Sequence, residues 1–349
     1  MGMPKISVVF KELASTANSS RMNPAGIIFT GTAKTLEIAD ADSIPNTLEA
    51  TEIEQLNLLF KGFSDDYVPS KVYAYWLGDT TYTDAVAYMV NKSVEYVCAP
   101  TVATDVKTKD FETAIIAARD DEAIIKAVIP NSASDNEGII NFTTASITTD
   151  DSTYTAEAFC SRIAGILAST PYTMSATYTE LSDVNDCTTL TNAEMDTAVE
   201  AGEFIILNDG TKVKTGRAVN SLVTLTDTKS SQYTKIRIVA IMDKIKRDIK
   251  TTIQDSYLGV VANTYGNKTV LISAIDGYLR GIKANGLLES ESVAIDLDAN
   301  EEYLQSIGTD TTDMTEQAIK SAYTGSNVYL KAAVQLVDTM EDFEILIEC

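Results

Sequence analysis

Apolar residues recur along this chain with two different periods. Between residue 25 and about residue 167, short continuous or alternating apolar runs are interleaved with segments whose apolar positions return every three to four residues, the marks of strands and helices respectively. Gly26-Ile27-Ile28-Phe29-Thr30-Gly31 predicts a short buried strand, Thr51 to Phe60 a helix capped by Thr51, and Lys71 to Leu77 a strand rich in aromatics. A helix over Thr83 to Asn91, a strand from Ser93 to Cys98, a helix over Asp105 to Arg119 and a strand from Ala123 to Ile129 follow, with Pro100 and Pro130 as stops. Gly138 to Ile147 reads as extended, and Thr155 to Ala168 as a helix ended before Pro171. This regular βαβ order with short connections predicts a mostly parallel sheet with helices packed against it.

The second half differs in character. Asn192 to Ala201 predicts a helix, and Phe204 to Leu207 with Lys212 to Lys214 a hairpin around Asn208-Asp209-Gly210. From Tyr233 onward, Ile238, Ile241, Met242, Ile245, Ile249 and Ile253 line one side of a long helix, with Lys244, Arg247 and Lys250 roughly opposite. Asn267 to Ala284 gives a further helix, stopped at Asn285-Gly286. Strand character returns at Val328 to Val337 and at Phe343 to Glu348, where Phe343, Ile345 and Ile347 alternate with polar or other positions. The opposite terminus has the same design: Ile6, Val8 and Phe10 alternate, and a polar stretch from Ser15 to Ser20 follows. Strands at both ends on polar leads read either as arms that add to a neighbour's sheet edge or as closing strands of the chain's own sheet.

Composition narrows the function. The chain has 349 residues, 45% hydrophobic and 22% charged, with a formal net charge of −23. That is enough length for a sizeable core and about two domains. Strong acidity argues against nucleic-acid binding, which needs a basic footprint larger than one helix. Against this background the segment from Lys229 to Lys283 carries ten Lys/Arg and four acids, and Glu289 to Cys349 carries fourteen acids with only Lys320 and Lys331. Adjacent segments of opposite sign either register copies of one chain head to tail or are solvated faces. The first ten residues lack the features of a signal peptide and no apolar run approaches a bilayer span, so synthesis and folding in a cytoplasm, without membrane insertion, are expected. Cys98, Cys160, Cys187 and Cys349 form no C-x-x-C pair, and buried free thiols are the expectation.

No histidine occurs. Its absence removes Ser-His-Asp and Cys-His nucleophiles, His-ligated zinc and imidazole acid/base work, and lowers the case for an enzyme. Asp296-x-Asp298-x-Asn300-x-Glu302 has the opening rhythm of a calcium loop, but Glu301 and Ile307 stand where a glycine and a bidentate acid are needed, so a helix start is the simpler expectation. No phosphate-cradling glycine motif is present, and Gly31-Thr32-Ala33 is too thin to serve as one. Neither a metal nor a cofactor is expected.

The order of features from about Thr155 to Leu288 resembles the tail sheath proteins of contractile phage tails and R-type bacteriocins. The similar features are the small-residue helix Cys160 to Ala168 followed by Pro171, the threonine-started helix at Thr191 leading through Gly202 to Ile206, and the Gly216-Arg217 step. They continue with the long helix Ile236 to Tyr257, an Asn-containing turn, and a helix closing on Tyr278-Leu279 and Gly286. Glu203-Phe204 and Ala218 depart from the usual residues of that family.

The resemblance implies a tail-sheath-like α/β fold (α+β overall), with a βαβ-type N-terminal domain, a mixed C-terminal assembly domain and extended terminal strand arms. The expected boundaries are 1–25 for the N-terminal arm, 26–188 for the α/β domain, 189–326 for the C-terminal domain with its basic helix, and 327–349 for the C-terminal arm. It further implies a non-catalytic subunit of six-membered rings stacked around an inner tube, contracting to drive that tube through a target envelope. Its partners would be copies of itself, the tube protein, and baseplate and terminator proteins, and it would be made in the bacterial cytoplasm, assembled in a phage virion tail or bacteriocin particle, and released on lysis. Ile6, Val8, Phe10, Phe343, Ile345 and Ile347 become candidate inter-subunit strand contacts, and Lys244, Lys246, Arg247 and Lys250 candidate contacts to the tube or an acidic neighbour. A histidine-free α/β nucleotide-binding enzyme, or a non-contractile tube or surface-layer subunit, stands as the alternative.

Overall fold

The computed structural model describes residues 23–347, so the expected strand at Ile6, Val8 and Phe10 lies outside the described residues. Residues 23–239 with 339–347 make one compact unit, and residues 240–338 belong to a second. The chain therefore leaves the first unit after Val239 and returns to it at Thr339.

The first unit opens with β1 (Ala25–Phe29), β2 (Lys34–Ile38), α1 (Ala50–Phe60), β3 (Val72–Trp76), α2 (Tyr82–Asn91), β4 (Tyr96–Cys98), α3 (Thr108–Asp120), β5 (Lys126–Pro130) and β6 (Ile139–Phe142). It continues with β7 (Ile147–Thr148), β8 (Thr153–Tyr154), α4 (Ala156–Ser169), β9 (Asp186–Cys187), α5 (Asn192–Glu200), β10 (Glu203–Phe204), β11 (Ile206–Asn208) and β12 (Val213–Thr215). Seven strands form one sheet in the order β10-β6-β5-β4-β1-β3-β2. All neighbours are parallel except β2, which runs antiparallel to β3 along the edge.

The apolar runs explain the parallel arrangement. Every residue of β1 and β5 is buried, as strands covered on both faces must be. Ile27 points into a core with Leu56 and Leu59 of α1 and Phe159 and Ile163 of α4, whereas Ile28 points into a second core with Val86 and Met89 of α2 and Phe111 and Ile115 of α3. Helix starts follow the local chemistry: Thr81 accepts from the amide of Asp84, Thr155 from Ala158 and Thr191 from Glu194. The cap of α1 is a correction, because Glu49 occupies that position, its amide donating to Glu52 at 3.1 Å, and Thr51 is already inside the helix. The hairpin around Asn208-Asp209-Gly210 forms as β11 and β12, with Phe204 going instead to the large sheet.

In the second unit, α6 (Ile236–Ser256), which begins in the first, is followed by α7 (Tyr265–Ala284), β13 (Leu288–Ile295), α8 (Leu297–Ser306), α9 (Glu316–Ser321) and β14 (Leu330–Leu336). α7 stops at Asn285 and Gly286, the latter at φ +73°. β13 and β14 pair antiparallel from Leu288 opposite Leu336 to Ile295 opposite Leu330, a two-stranded ribbon of which β13 had no sequence signal. Asp296 caps α8 by accepting from the amide of Ala299 at 3.1 Å, and no group of acids or cysteines among the described residues is arranged to hold a metal. No helix among the described residues is long and apolar enough to cross a membrane.

Candidate assembly surfaces

Three segments of the first unit converge to receive the end of the chain. An isolated bridge pairs Val219 with Lys235, and the amide of Ile236 donates to the carbonyl of Ala218 at 3.1 Å, which sets Arg217 and Lys235 side by side. The amide of Ala218 donates to Thr177 Oγ1 at 3.0 Å, adding the loop with Ser175 and Thr177. Glu341 enters this corner with its side chain only 8% exposed. Its Oε1 accepts from Thr177 Oγ1 at 2.8 Å and Ser175 Oγ at 3.3 Å. Its Oε2 makes no hydrogen bond among the described residues and stands 3.7 Å from Arg217 Nε and 3.8 Å from Lys235 Nζ. Arg217 also donates to the carboxylate of Asp342.

Beyond this corner the chain is bare. Phe343, Ile345 and Ile347 are 71%, 77% and 78% exposed, Leu346 is exposed as well, and residues 341–347 belong to no strand. Over residues 343–347 the alternation read from sequence thus has no buried side, and the expected strand has no partner strand among the described residues.

The ribbon of the second unit is equally open. β13 packs on α7, while residues 331–335 of β14 are exposed, and among the described residues neither outer edge of the ribbon is paired with a further strand. By contrast, the large sheet is blunted at both ends: β10 has two residues, and β2 carries Lys34 and Glu37, the latter paired with Lys71.

Lys244, Lys246, Arg247 and Lys250 are half-buried rather than projecting freely. Lys244 pairs with Asp248 at 2.5 Å, Arg247 Nε lies 3.6 Å from the same carboxylate, and Tyr278 donates to it at 2.8 Å. Acidic Glu291 of β13 is likewise used within its own unit, 3.1 Å from Lys283 and 4.0 Å from Arg280. Part of the charge complementarity visible in sequence is therefore consumed inside the chain.

The carboxyl ends of the parallel strands, where α/β sheets bind ligands, hold the chain's own carboxylates. After β4, Glu157 Oε1 accepts from the amides of Ala103 at 2.6 Å and Thr104 at 2.9 Å, and its Oε2 from Thr104 Oγ1 at 2.7 Å. After β5, buried Glu112 accepts from Ser132 Oγ and pairs with Lys109 at 2.8 Å. Burial pushes the Glu112 carboxyl up, and hydrogen bonds from Lys109, Ser132 and Ser134 more than offset this, holding it below its ordinary range. Donors that would cradle a phosphate are occupied, and the local charge is negative.

Known proteins resemble this chain in sequence and in fold. The family model for the phage tail sheath protein central domain matches residues 77–221, and that for the phage tail sheath C-terminal domain matches residues 228–349. The tail sheath protein of Clostridium phage phiCD119 is 35% identical over 355 aligned residues, covering 99% of each chain. Among solved structures, a sheath tail protein from Desulfitobacterium hafniense superposes with a TM-score of 0.67 at 16% identity, over 83% of this chain and 93% of that one. A sheath complex of an extracellular contractile injection system in its contracted state superposes with a TM-score of 0.66 at 12% identity, over 100% and 98%.

Proposed function

Because the chain belongs to the phage tail sheath family, we propose that it is a non-catalytic subunit of a contractile sheath, built as six-membered rings stacked helically around an inner tube. The observation that carries this reading is the presence in one chain of an exposed apolar arm, residues 343–347, and a two-stranded ribbon whose edges are unpaired among the described residues. In the assembly, Phe343, Ile345 and Ile347 of one subunit add as a strand to the β13–β14 ribbon of a neighbour, and Ile6, Val8 and Phe10 do the same from the other terminus. Lys244, Lys246, Arg247 and Lys250 face the tube or an acidic neighbour. Tube, baseplate and terminator proteins complete the partner set.

Magnitudes favour a lattice over a pair. Burying three large apolar side chains stabilises by about 5–8 kcal/mol. Ordering five backbone residues costs about 5–10 kcal/mol. One arm therefore contributes close to nothing, and many arms engaged together, or a template such as the tube, are needed for cohesion. Arms that stay paired let rings rotate and approach without dissociating, so contraction becomes a switch between two packings of one connected lattice. Made in a bacterial cytoplasm, the subunit would be released within its particle on lysis.

Negative-stain electron microscopy of the concentrated protein tests this. Striated hollow cylinders with six-fold end views are expected, and a chain lacking residues 343–349 should fold but give no long assemblies. Dispersed monomers from the intact chain, both in buffer and with tube protein added, would refute the reading.

A further inference from the structure

We propose that Glu341 and Asp342, held by Arg217, Lys235, Ser175 and Thr177, form the fixed root of the C-terminal arm, so that only residues from 343 onward move to reach a neighbour. The inference rests on the arm reading above and adds where the arm is anchored and how load enters the subunit. Four groups from three separate segments meet one carboxylate, and the next residue shares the same guanidinium. Immediately beyond, residues 343–347 are all exposed. Glu341 is the buried member of the root, and Asp342, itself exposed, is tied back, among the described residues, only through Arg217.

This placement sets reach and direction. Seven extended residues, 343–349, span about 23 Å, whereas release of the root back to Asp338 would lengthen the tether to eleven residues and about 36 Å. For a flexible tether, effective concentration falls as about the three-halves power of length, a loss of roughly twofold for each arm. Pull on the arm passes through Arg217, which follows β12, and Lys235, which precedes α6, rather than through the β14 strand of the other unit. The Gly-Arg step noted in sequence thereby acquires a specific role: Gly216 packs against Ile205, its amide donating to that carbonyl at 2.8 Å, and presents Arg217 to the root.

The test changes the tail side of the contact, where no core residue is touched. In full-length protein, the double variant Glu341→Gln, Asp342→Asn is compared with wild type by amide hydrogen exchange in dilute monomer and by the critical concentration for sheath assembly. Exchange at residues 339–342 should accelerate about tenfold, as expected for lost hydrogen bonds to charged groups, and the critical concentration should rise at least about twofold. Arg217→Asp combined with Asp342→Arg should recover protection that either single change loses. Unchanged exchange at 339–342 in the double variant would overturn the anchor. Faster exchange in that variant, with assembly unaffected even by deletion of residues 343–349, would keep the anchor and sink the arm reading instead.

Discussion

Replacing Gly165 by alanine should destabilise the first unit, although alanine is the better helix former. An ideal Cβ at this position of α4 would stand 2.1 Å from the carbonyl oxygen of Leu59 and 2.9 Å from its carbon. These are backbone atoms of α1, so no side chain can turn aside. Reaching even a tight 3.0 Å separation requires the two helices to part by about 0.9 Å. Such a shift loosens Leu56, Leu59, Phe159 and Ile163 together, since dispersion falls steeply across a gap of that size. Overpacking of this kind costs up to about 3 kcal/mol. The gain in helix propensity returns about 1 kcal/mol. The net of about 2 kcal/mol lowers the melting temperature of a unit this size by roughly 4–8 °C. Thermal unfolding followed by circular dichroism, at a concentration too low for assembly, gives the answer. A Gly165→Ala protein that melts at or above the wild-type temperature would refute the close-approach argument.

Other perturbations test separate parts of the molecule. Arg162→Met removes a buried guanidinium that donates to Asp183 at 3.1 and 3.2 Å and to the carbonyl of Gly62, and should cost about 3 kcal/mol in urea unfolding at pH 7. Burial pushes the Asp183 carboxyl up, but the charge of Arg162 and hydrogen bonds from Arg162 and Lys61 hold it below its ordinary value, so its contribution to stability is present above about pH 4 and is lost as the pH falls through the depressed value. Consequently the Arg162→Met protein should show a shallower loss of stability on acidification, and parallel profiles for the two proteins would contradict the pairing. Glu157→Ala should cost about 1 kcal/mol and speed exchange at the amides of Ala103 and Thr104; protection equal to wild type would mean those amides have other partners. Lys250→Glu should change monomer stability by less than about 1 kcal/mol yet shorten assemblies at moderate salt, and assemblies of full length would remove Lys250 from the contact surface.

Most elements with a buried face were legible from sequence, whereas β2 and β13, which lack one, were not, although β14, exposed over residues 331–335, was read within Val328 to Val337 from its composition. β1 and β5 are unbroken apolar runs because both faces are covered, and α6 shows its isoleucine stripe along most of its length. β13, read as part of an acidic stretch, buries only Leu288 and Ile295 at its ends, so Glu289, Ser290, Glu291 and Ser292 leave no period to detect. β2 is a five-residue edge strand with one buried residue, Ile38, and was missed for the same reason. The arm's apolar alternation was visible, but its anchoring was not, because Arg217 and Asp342 lie 125 positions apart and no local pattern links them. Charge counts pointed to complementary segments without revealing that Lys283 and Glu291, or Lys244 and Asp248, already satisfy each other.

The interruption of the first unit by residues 240–338 also has a temporal meaning. On the ribosome, Arg217 emerges 125 residues before Asp342. At about 5–20 residues per second that is an interval of roughly 6–25 s. The seven-stranded sheet is complete before Arg217 emerges, and the intervening unit is made during that interval, while the proposed C-terminal arm has yet to be translated. Order of synthesis thus works as a timer for the C-terminal arm: the body of each subunit has the opportunity to fold before residues 343–349 exist, so this arm cannot entangle nascent chains on one message.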